Sequence, residues 1–214
     1  MDVHRVYAFF LRPFRRRRMR AFSREFEPTA ATRILDVGGT PFNWTLLDTS
    51  ASLTLLNLEA LPASTQLPAN MTALVGSGMQ LDFAAGSFDV VFSNSVIEHV
   101  GDPAAQQAFA RELRRVGRGL WVQTPARSFF VEPHLMGVFV HWLPPRWQRR
   151  LIRGFTLWGW LARPDHERID AFLAGTRLLD AGEMARLFPD CEIRRERFLG
   201  LTKSYVAVRQ PGLR

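Results

Sequence analysis

The stretch Arg33-Ile34-Leu35-Asp36-Val37-Gly38-Gly39-Thr40-Pro41 constrains the fold more than any other part of the chain. Apolar positions run into Asp36, and two glycines and a turn follow. A short buried strand ending in glycine is how a doubly wound α/β fold begins its ligand site, because missing side chains let backbone N–H groups come close to a ligand. The pattern is not the dinucleotide fingerprint. That motif needs glycines at G-x-G-x-x-G spacing, and Thr40 stands where the second would be and Asn43 where the third would be.

The acidic residue at the strand end points instead toward S-adenosylmethionine. Its cationic sulfonium and ammonium groups favour a nearby carboxylate, and it has no pyrophosphate in need of a helix N-terminus. An ordinary strand and turn would read the same way over these nine residues, so the rest of the chain has to decide.

With 214 residues, 47% of them hydrophobic, the chain can bury one sizeable core, which predicts a single domain with appendages. A net charge of +8 invites nucleic acid or an anionic membrane as partner. Because Lys203 is the one lysine beside a large arginine content, coding bias explains part of that charge. The sole cysteine, Cys191, excludes an internal disulfide and a cysteine-based metal site, which fits a reducing cytoplasm. The apolar run 6–11 is too short for a secretory core and precedes its basic cluster instead of following it. The run 135–143 falls well short of the roughly 20 residues a spanning helix needs.

In residues 1–32, Tyr7, Phe9, Phe10 and Phe14 alternate with Arg5, Arg12 and the run 15–18. Pro13 predicts a break, giving a short apolar arm and then a helix over about 14–26 with Met19, Phe22 and Phe26 facing the domain. The outward arginines read either as a solvated face or as an arm resting on anionic lipid at the inner face of a membrane.

From residue 33 onward, strand and helix signals alternate. Strand one is 33–37, with a short helix over 43–47. Strand two, 53–58, is nearly continuously apolar, as in a parallel sheet buried on both faces, and it ends at Glu59, about 20 residues after the first glycine. A carboxylate there is placed to hold ribose hydroxyls. Strand three, 71–75, leads into Gly76-Ser77-Gly78-Met79, where small residues leave room for an adenine ring. Strand four runs from Phe88 through Phe92, and Ser93, Asn94 and Ser95 then fall in the crevice beyond the carboxyl ends of the strands. Asp102-Pro103 opens a helix to about residue 115, and strand five is 120–124.

Leu35-Asp36-Val37-Gly38-Gly39, Glu59, Gly76-Ser77-Gly78, and Ser87-Phe88-Asp89-Val90-Val91-Phe92-Ser93 with Ile97-Glu98-His99-Val100 together resemble the class I S-adenosylmethionine-dependent methyltransferases, within them the type-11 group. The resemblance covers about 30–125. It implies an α/β fold with a seven-stranded, Rossmann-like, mostly parallel sheet ending in an antiparallel strand, and S-adenosylmethionine as cofactor. It further implies that Asp36, Gly38, Gly39 and Thr40 line the methionine end, Glu59 the ribose, and Ser77, Gly78 and Met79 the adenine, with Ser93 and Asn94 nearby. The family usually has a glycine at Thr40 and an aspartate at Ser77, departures that bear on cofactor affinity.

Residues 125–175 form an aromatic-rich insertion after the fifth strand, placed to cover the crevice as a lid. His134 beside Glu132, and His99 beside Glu98, are the candidates for a general base. Some quinone methyltransferases resembling the Glu98-His99 stretch hold a divalent metal, but sequence supplies no third ligand and no metal is assigned. The 149–163 stretch, with Trp158 and Trp160 among arginines, suits a membrane-surface element, a substrate mouth or a packed helix hairpin. Asp180 and Glu183 form a capping pair, and 191–198 and 204–209 read as a closing antiparallel pair.

The expectation is a methyltransferase domain over 33–214 behind an N-terminal arm and basic helix, acting on a small-molecule or lipid-linked acceptor. A non-catalytic binding module is the rival. An RNA methyltransferase ranks third, because Ser93-Asn94-Ser95-Val96 replaces the Asn/Asp-Pro-Pro-aromatic tetrapeptide of amino-methylating nucleic-acid enzymes.

Overall fold

A computed structural model describes residues 3–212, with side chains from residue 12 onward. Five strands, β1 (Arg33–Val37), β2 (Ser52–Asn57), β3 (Met71–Val75), β4 (Phe88–Asn94) and β5 (Gly117–Pro125), pair in parallel in the spatial order β3-β2-β1-β4-β5. After a small hairpin of β6 (Val131–Glu132) and β7 (Gly137–Val138), the chain closes the sheet with β8 (Glu192–Phe198) and β9 (Leu201–Arg209). β9 lies antiparallel between β5 and β8, which gives the seven-stranded, mostly parallel sheet with an antiparallel ending that the resemblance implies. All five parallel strands therefore present their carboxyl ends along one edge.

Helices cover both faces. On one side α1 (Val3–Phe26) and α2 (Pro41–Trp44) bury Met19, Phe22 and Trp44 against Phe92, Trp121 and Val206. On the other, α3 (Pro103–Val116) and, late in the chain, α7 (Ala181–Leu187) bury Phe109, Leu113, Met184 and Phe188 against Leu35, Val91 and Val122. Asp102 caps α3 by accepting the Ala105 N–H at 2.8 Å. Asp180 and Glu183 form the reciprocal capping box of α7, as their spacing indicates.

α1 departs from expectation, because Pro13 lies inside it and does not break it. Proline removes one i→i−4 hydrogen bond, but the turns that follow are fixed from outside. Phe22 has no exposure and meets the Phe26, Trp44, Phe92 and Trp121 rings at 5.1–5.8 Å. The expected arrangement of the Tyr7, Phe9 and Phe10 side chains lies outside the described residues. α2 begins two residues earlier than expected, since Pro41 with its fixed φ starts the helix.

Two crossovers carry no helix. Residues 58–70 connect β2 to β3, and 76–87 connect β3 to β4, as irregular chain. Parallel connections usually use a helix, and without one the edge strand β3 leaves Val75 63% exposed.

The insertion packs as a small unit on its own core. The hairpin β6–β7 leads to α4 (Pro145–Phe155), α5 (Leu157–Ala162) and α6 (His166–Gly175), which enclose Leu135, Val140, Ile152 and Ile169 with Trp158 and Phe172 alongside. The tight α4–α5 corner needs Gly159, where a Cβ would lie 2.0 Å from the Ile152 carbonyl oxygen. Thr156 locks that corner, donating to Ile152 O and accepting from Gly159 N–H.

Candidate active site

The β1 carboxyl end builds the first half of the site. Gly38 has φ +75°, and a Cβ there would meet the Val96 side chain at 2.4 Å, so only glycine fits both the backbone and the space. Gly39 lies directly over Asp36, whose carboxyl carbon would be 1.9 Å from an added Cβ. The Asn57 amide donates to Gly39 O at 2.8 Å and ties the loop to the end of β2.

Asp36 is fully buried under this loop. Its Oδ2 accepts from Trp44 Nε1 at 2.8 Å, whereas Oδ1 has no partner. Burial raises its pKa to about 7, against the lowering effects of Trp44 and the Arg15 charge. Thr40 is exposed just beyond the glycines. Gly78 folds back toward them: a Cβ there would strike Phe109 at 2.5 Å and Val37 at 2.8 Å. That places Ser77-Gly78-Met79 beside the glycine loop, and the Ser77 hydroxyl accepts the Met79 N–H at 3.2 Å. Glu59 is exposed two residues past β2.

Two expected ligand contacts come out differently. Ser93 is fully buried and its hydroxyl donates to Val37 O at 3.0 Å, so it ties β4 to β1 instead of facing a ligand. Asn94 does reach the edge, but its Oδ1 accepts from Arg18 Nη1 at 2.5 Å. Arg18 and Trp44 were missed from sequence, because nothing in local spacing reports that α1 and α2 fold onto the strand ends, and Asn57 was missed because its bond to Gly39 O depends on β2 lying beside β1.

The second half of the site lies beyond β4 and β5, where His99 and His134 come together with their Nε2 atoms 3.0 Å apart. His99 ends a 3₁₀ turn, Ile97–His99, anchored by the Arg177 N–H to Glu98 O at 2.7 Å and the Gln106 amide to Ile97 O at 3.0 Å. Glu98 is completely buried. Its Oε2 accepts from the Thr124 hydroxyl at 2.9 Å, and its Oε1 lies 3.8 Å from His134 Nε2 without a hydrogen bond. His134 Nδ1 pairs with Glu132 Oε1 at 2.6 Å, and Glu132 Oε2 accepts the Leu135 N–H at 2.5 Å.

Burial raises the Glu98 pKa to about 7 despite the His134 charge. Burial opposes charge on His134 too, but the Glu132 hydrogen bond and the Glu132 and Glu98 charges outweigh it and raise its pKa. His99 is lowered by partial burial and by His134, although one side of it stays open to solvent. The sequence nominated both histidines separately, and the structure makes them one unit.

Residues 31–119 match the family model of the type-11 methyltransferase domain. That segment, less than half of the chain, is similar to a methyltransferase domain. It contains the glycine loop, Glu59, the Ser77–Met79 turn and the Glu98-His99 pair, and stops short of the insertion. No curated protein matches the chain significantly. Among solved structures, a possible exported protein from Bordetella parapertussis superposes with a TM-score of 0.60 at 15% identity, over 94% of this chain and 68% of that one. The PH0226 protein from Pyrococcus horikoshii OT3 gives 0.52 at 14% identity, over 99% and 92%. The N-terminal domain of EvdMO1, crystallised with S-adenosylhomocysteine and D-fucose, gives 0.52 at 21% identity, over 92% and 82%. At such identities the likeness establishes the fold around the methyltransferase domain and nothing finer.

Proposed function

We propose that the chain is an S-adenosylmethionine-dependent methyltransferase acting on a small-molecule or lipid-linked acceptor. The observation that carries this reading is Asp36, a buried carboxylate with one unpartnered oxygen directly beneath a loop that tolerates only glycine. An anionic group built into that loop suits a cationic ligand. The fit extends along the edge: Gly38 and Gly39 offer backbone, Glu59 is exposed for ribose hydroxyls, and Ser77-Gly78-Met79 border the same space. S-adenosylhomocysteine in the similarly folded EvdMO1 domain supports the same cofactor class.

S-adenosylmethionine supplies a methyl group already activated on its sulfonium. The protein's part is to align the acceptor and exclude water. His99 and His134, beyond the tips of β4 and β5, are the groups placed to act on an acceptor proton. The insertion serves as the acceptor-side wall. Its exposed Trp147, Phe155 and Trp160, beside Arg146, Arg150 and Arg153, favour an acceptor delivered from an anionic lipid surface.

Calorimetric titration with S-adenosylmethionine and S-adenosylhomocysteine tests the reading. Both should bind at one site per chain, and Glu59→Ala should weaken binding at least tenfold with unchanged melting temperature. Absence of heat from either compound would overturn it in favour of a non-catalytic module.

A further inference from the structure

A second set of ionisable side chains gathers where α1 meets β8 and β9. Lys203, the one lysine of the chain, lies on β9 just past the carboxyl end of β5, its carbonyl accepting the Ala126 N–H at 2.9 Å. The β8–β9 ladder pairs Glu196 with Ser204 and Arg197 with Thr202, which makes Lys203 the extra residue of a bulge. Such a residue leaves the alternation of its strand, and its side chain is re-aimed. Lys203 Nζ lies 4.1 Å from the centre of the Phe14 ring on α1. Phe198 meets Phe14 at 5.4 Å and Phe129 at 6.4 Å between ring centres, and it stays 39% exposed, so the aromatic wall beside the ammonium is open to solvent.

Charge does not balance here. Arg18 gives Nε and Nη2 to the two oxygens of Glu196 and Nη1 to Asn94, which engages that carboxylate on both sides. Arg15 adds a third cation, its Nη1 donating to Asn43 Oδ1 at 3.3 Å. Lys203 is half-buried and makes no hydrogen bond or close ion pair among the described residues. Its pKa falls to about 8, through burial first and then the Arg18 charge, with Glu196 pulling the other way and Arg15 adding to the fall. A half-buried cation beside two others costs free energy, and an anion seated against it recovers that cost.

We propose that Lys203, walled by Phe14 and Phe198, binds the carboxylate or phosphate group of an apolar methyl acceptor. An ammonium on a flexible stem holds an oxyanion as a point charge, and the rings take the apolar part next to it. Arg18 ties this group to Asn94, the last residue of β4, and so to the edge that carries the glycine loop. Resting on the methyltransferase reading, the site narrows the acceptor to an acid. S-adenosylmethionine brings a carboxylate of its own at the methionine end. Arg15, bonded to Asn43 in the helix that follows the glycine loop, is the cation nearer that end, which leaves Lys203 to the acceptor.

Because the chain has one lysine, isotope-labelled reductive methylation of the full-length protein gives Lys203 its own NMR signal, separate from that of the N-terminal amine. In the free protein that signal should titrate at about 8. Benzoate and phenyl phosphate should each raise the midpoint by about one pH unit or more, a roughly tenfold tighter hold on the proton, whereas benzyl alcohol should not move it. S-adenosylhomocysteine alone should leave it unchanged. In unmodified protein, Lys203→Met should weaken benzoate binding roughly tenfold by calorimetry and Lys203→Arg should restore most of it, with S-adenosylhomocysteine affinity and melting temperature as in wild type. A Lys203 midpoint that neither acid moves, or a Lys203→Met protein that binds benzoate like wild type, would overturn the site. An equal shift on adding S-adenosylhomocysteine alone would overturn it too, giving the anion position to the cofactor. The two readings fail separately. S-adenosylhomocysteine binding with a silent Lys203 sinks the acceptor site alone, and acids that move Lys203 in a protein that binds no cofactor sink the methyltransferase function.

Discussion

At the scale of single residues, Asp36 carries both the recognition argument and a measurable cost. A buried acid held up at about 7 binds its proton more tightly in the folded chain than in the unfolded one. Its contribution to stability therefore falls as pH rises from about 4, where an unfolded aspartate ionises, to about 7, and is flat above that. Asp36→Asn keeps an oxygen for Trp44 and removes the titration. The difference in unfolding free energy between variant and wild type, from urea melts, should move in the variant's favour between pH 5 and pH 8, while affinity for S-adenosylmethionine falls at least tenfold. A pH-independent difference would show that Asp36 is ionised at no such cost. The strand end at Asp36, Gly38 and Gly39 was legible in sequence as a turn, because the positive φ of Gly38 and the clash that a Cβ on Gly39 would make with Asp36 both arise within a few residues of chain. Ser93 was not, since the choice between facing a ligand and bonding Val37 O depends on the β1–β4 register, which pairs Asp36 with Phe92. The histidines were legible as chemistry and not as a cluster: 35 residues separate them, and only the fold sets that distance to 3.0 Å.

Among the elements, α1 shows where local rules lost to tertiary packing. Proline predicts a break, and the aromatic cluster around Phe22 overrides it. The strands, by contrast, were legible to within a residue or two at most ends, because β-branched runs between turns carry the same signal locally and globally. The starts of β5 and β9 were the exceptions: they begin at Gly117 and Leu201, each three residues before the first residue expected, since pairing with β4 and β8 extends them. α1 also brings Arg18 into the sheet edge, 5% exposed, where Nε donates to Glu196 Oε1 at 2.8 Å and Nη2 to Oε2 at 2.5 Å. Arg18 and Lys203 hold the Glu196 carboxyl below its ordinary range against burial. Breaking a buried pair from one side leaves an uncompensated charge, at a cost of about 3–5 kcal/mol, whereas replacing both partners with apolar groups is often near neutral. Glu196→Met should therefore lower the urea midpoint sharply, and Arg18→Met with Glu196→Met should recover most of the loss. A double variant no better than Glu196→Met alone would show that Arg18 acts through Asn94 and not through the ion pair.

The molecule as a whole is a pared-down methyltransferase fold with an added unit. Helices are missing from two crossovers, and the mass has gone into the insertion and α1. No described helix is long and apolar enough to cross a membrane. Even so, the surface combines a charge of +8 with arginines at 12, 16, 17, 20 and 24 on the exposed side of α1. α1 touches α5 of the insertion, and the insertion leaves Trp147, Phe155 and Trp160 45–69% exposed. Arginine near an anionic bilayer contributes about 1 kcal/mol each, and tryptophan adds interfacial burial that salt does not screen. The two contributions are separable. The protein should sediment with phosphatidylserine vesicles and not with phosphatidylcholine vesicles at low salt. Replacing Arg16, Arg17, Arg20 and Arg24 with glutamine should remove the salt-sensitive part of the binding and leave the fraction that persists at high salt. Trp147→Ala with Trp160→Ala should keep low-salt binding but lose the fraction that persists at ~0.5 M salt. If the arginine variant sediments like wild type, the charge belongs to solvation and the acceptor reaches the site from solution.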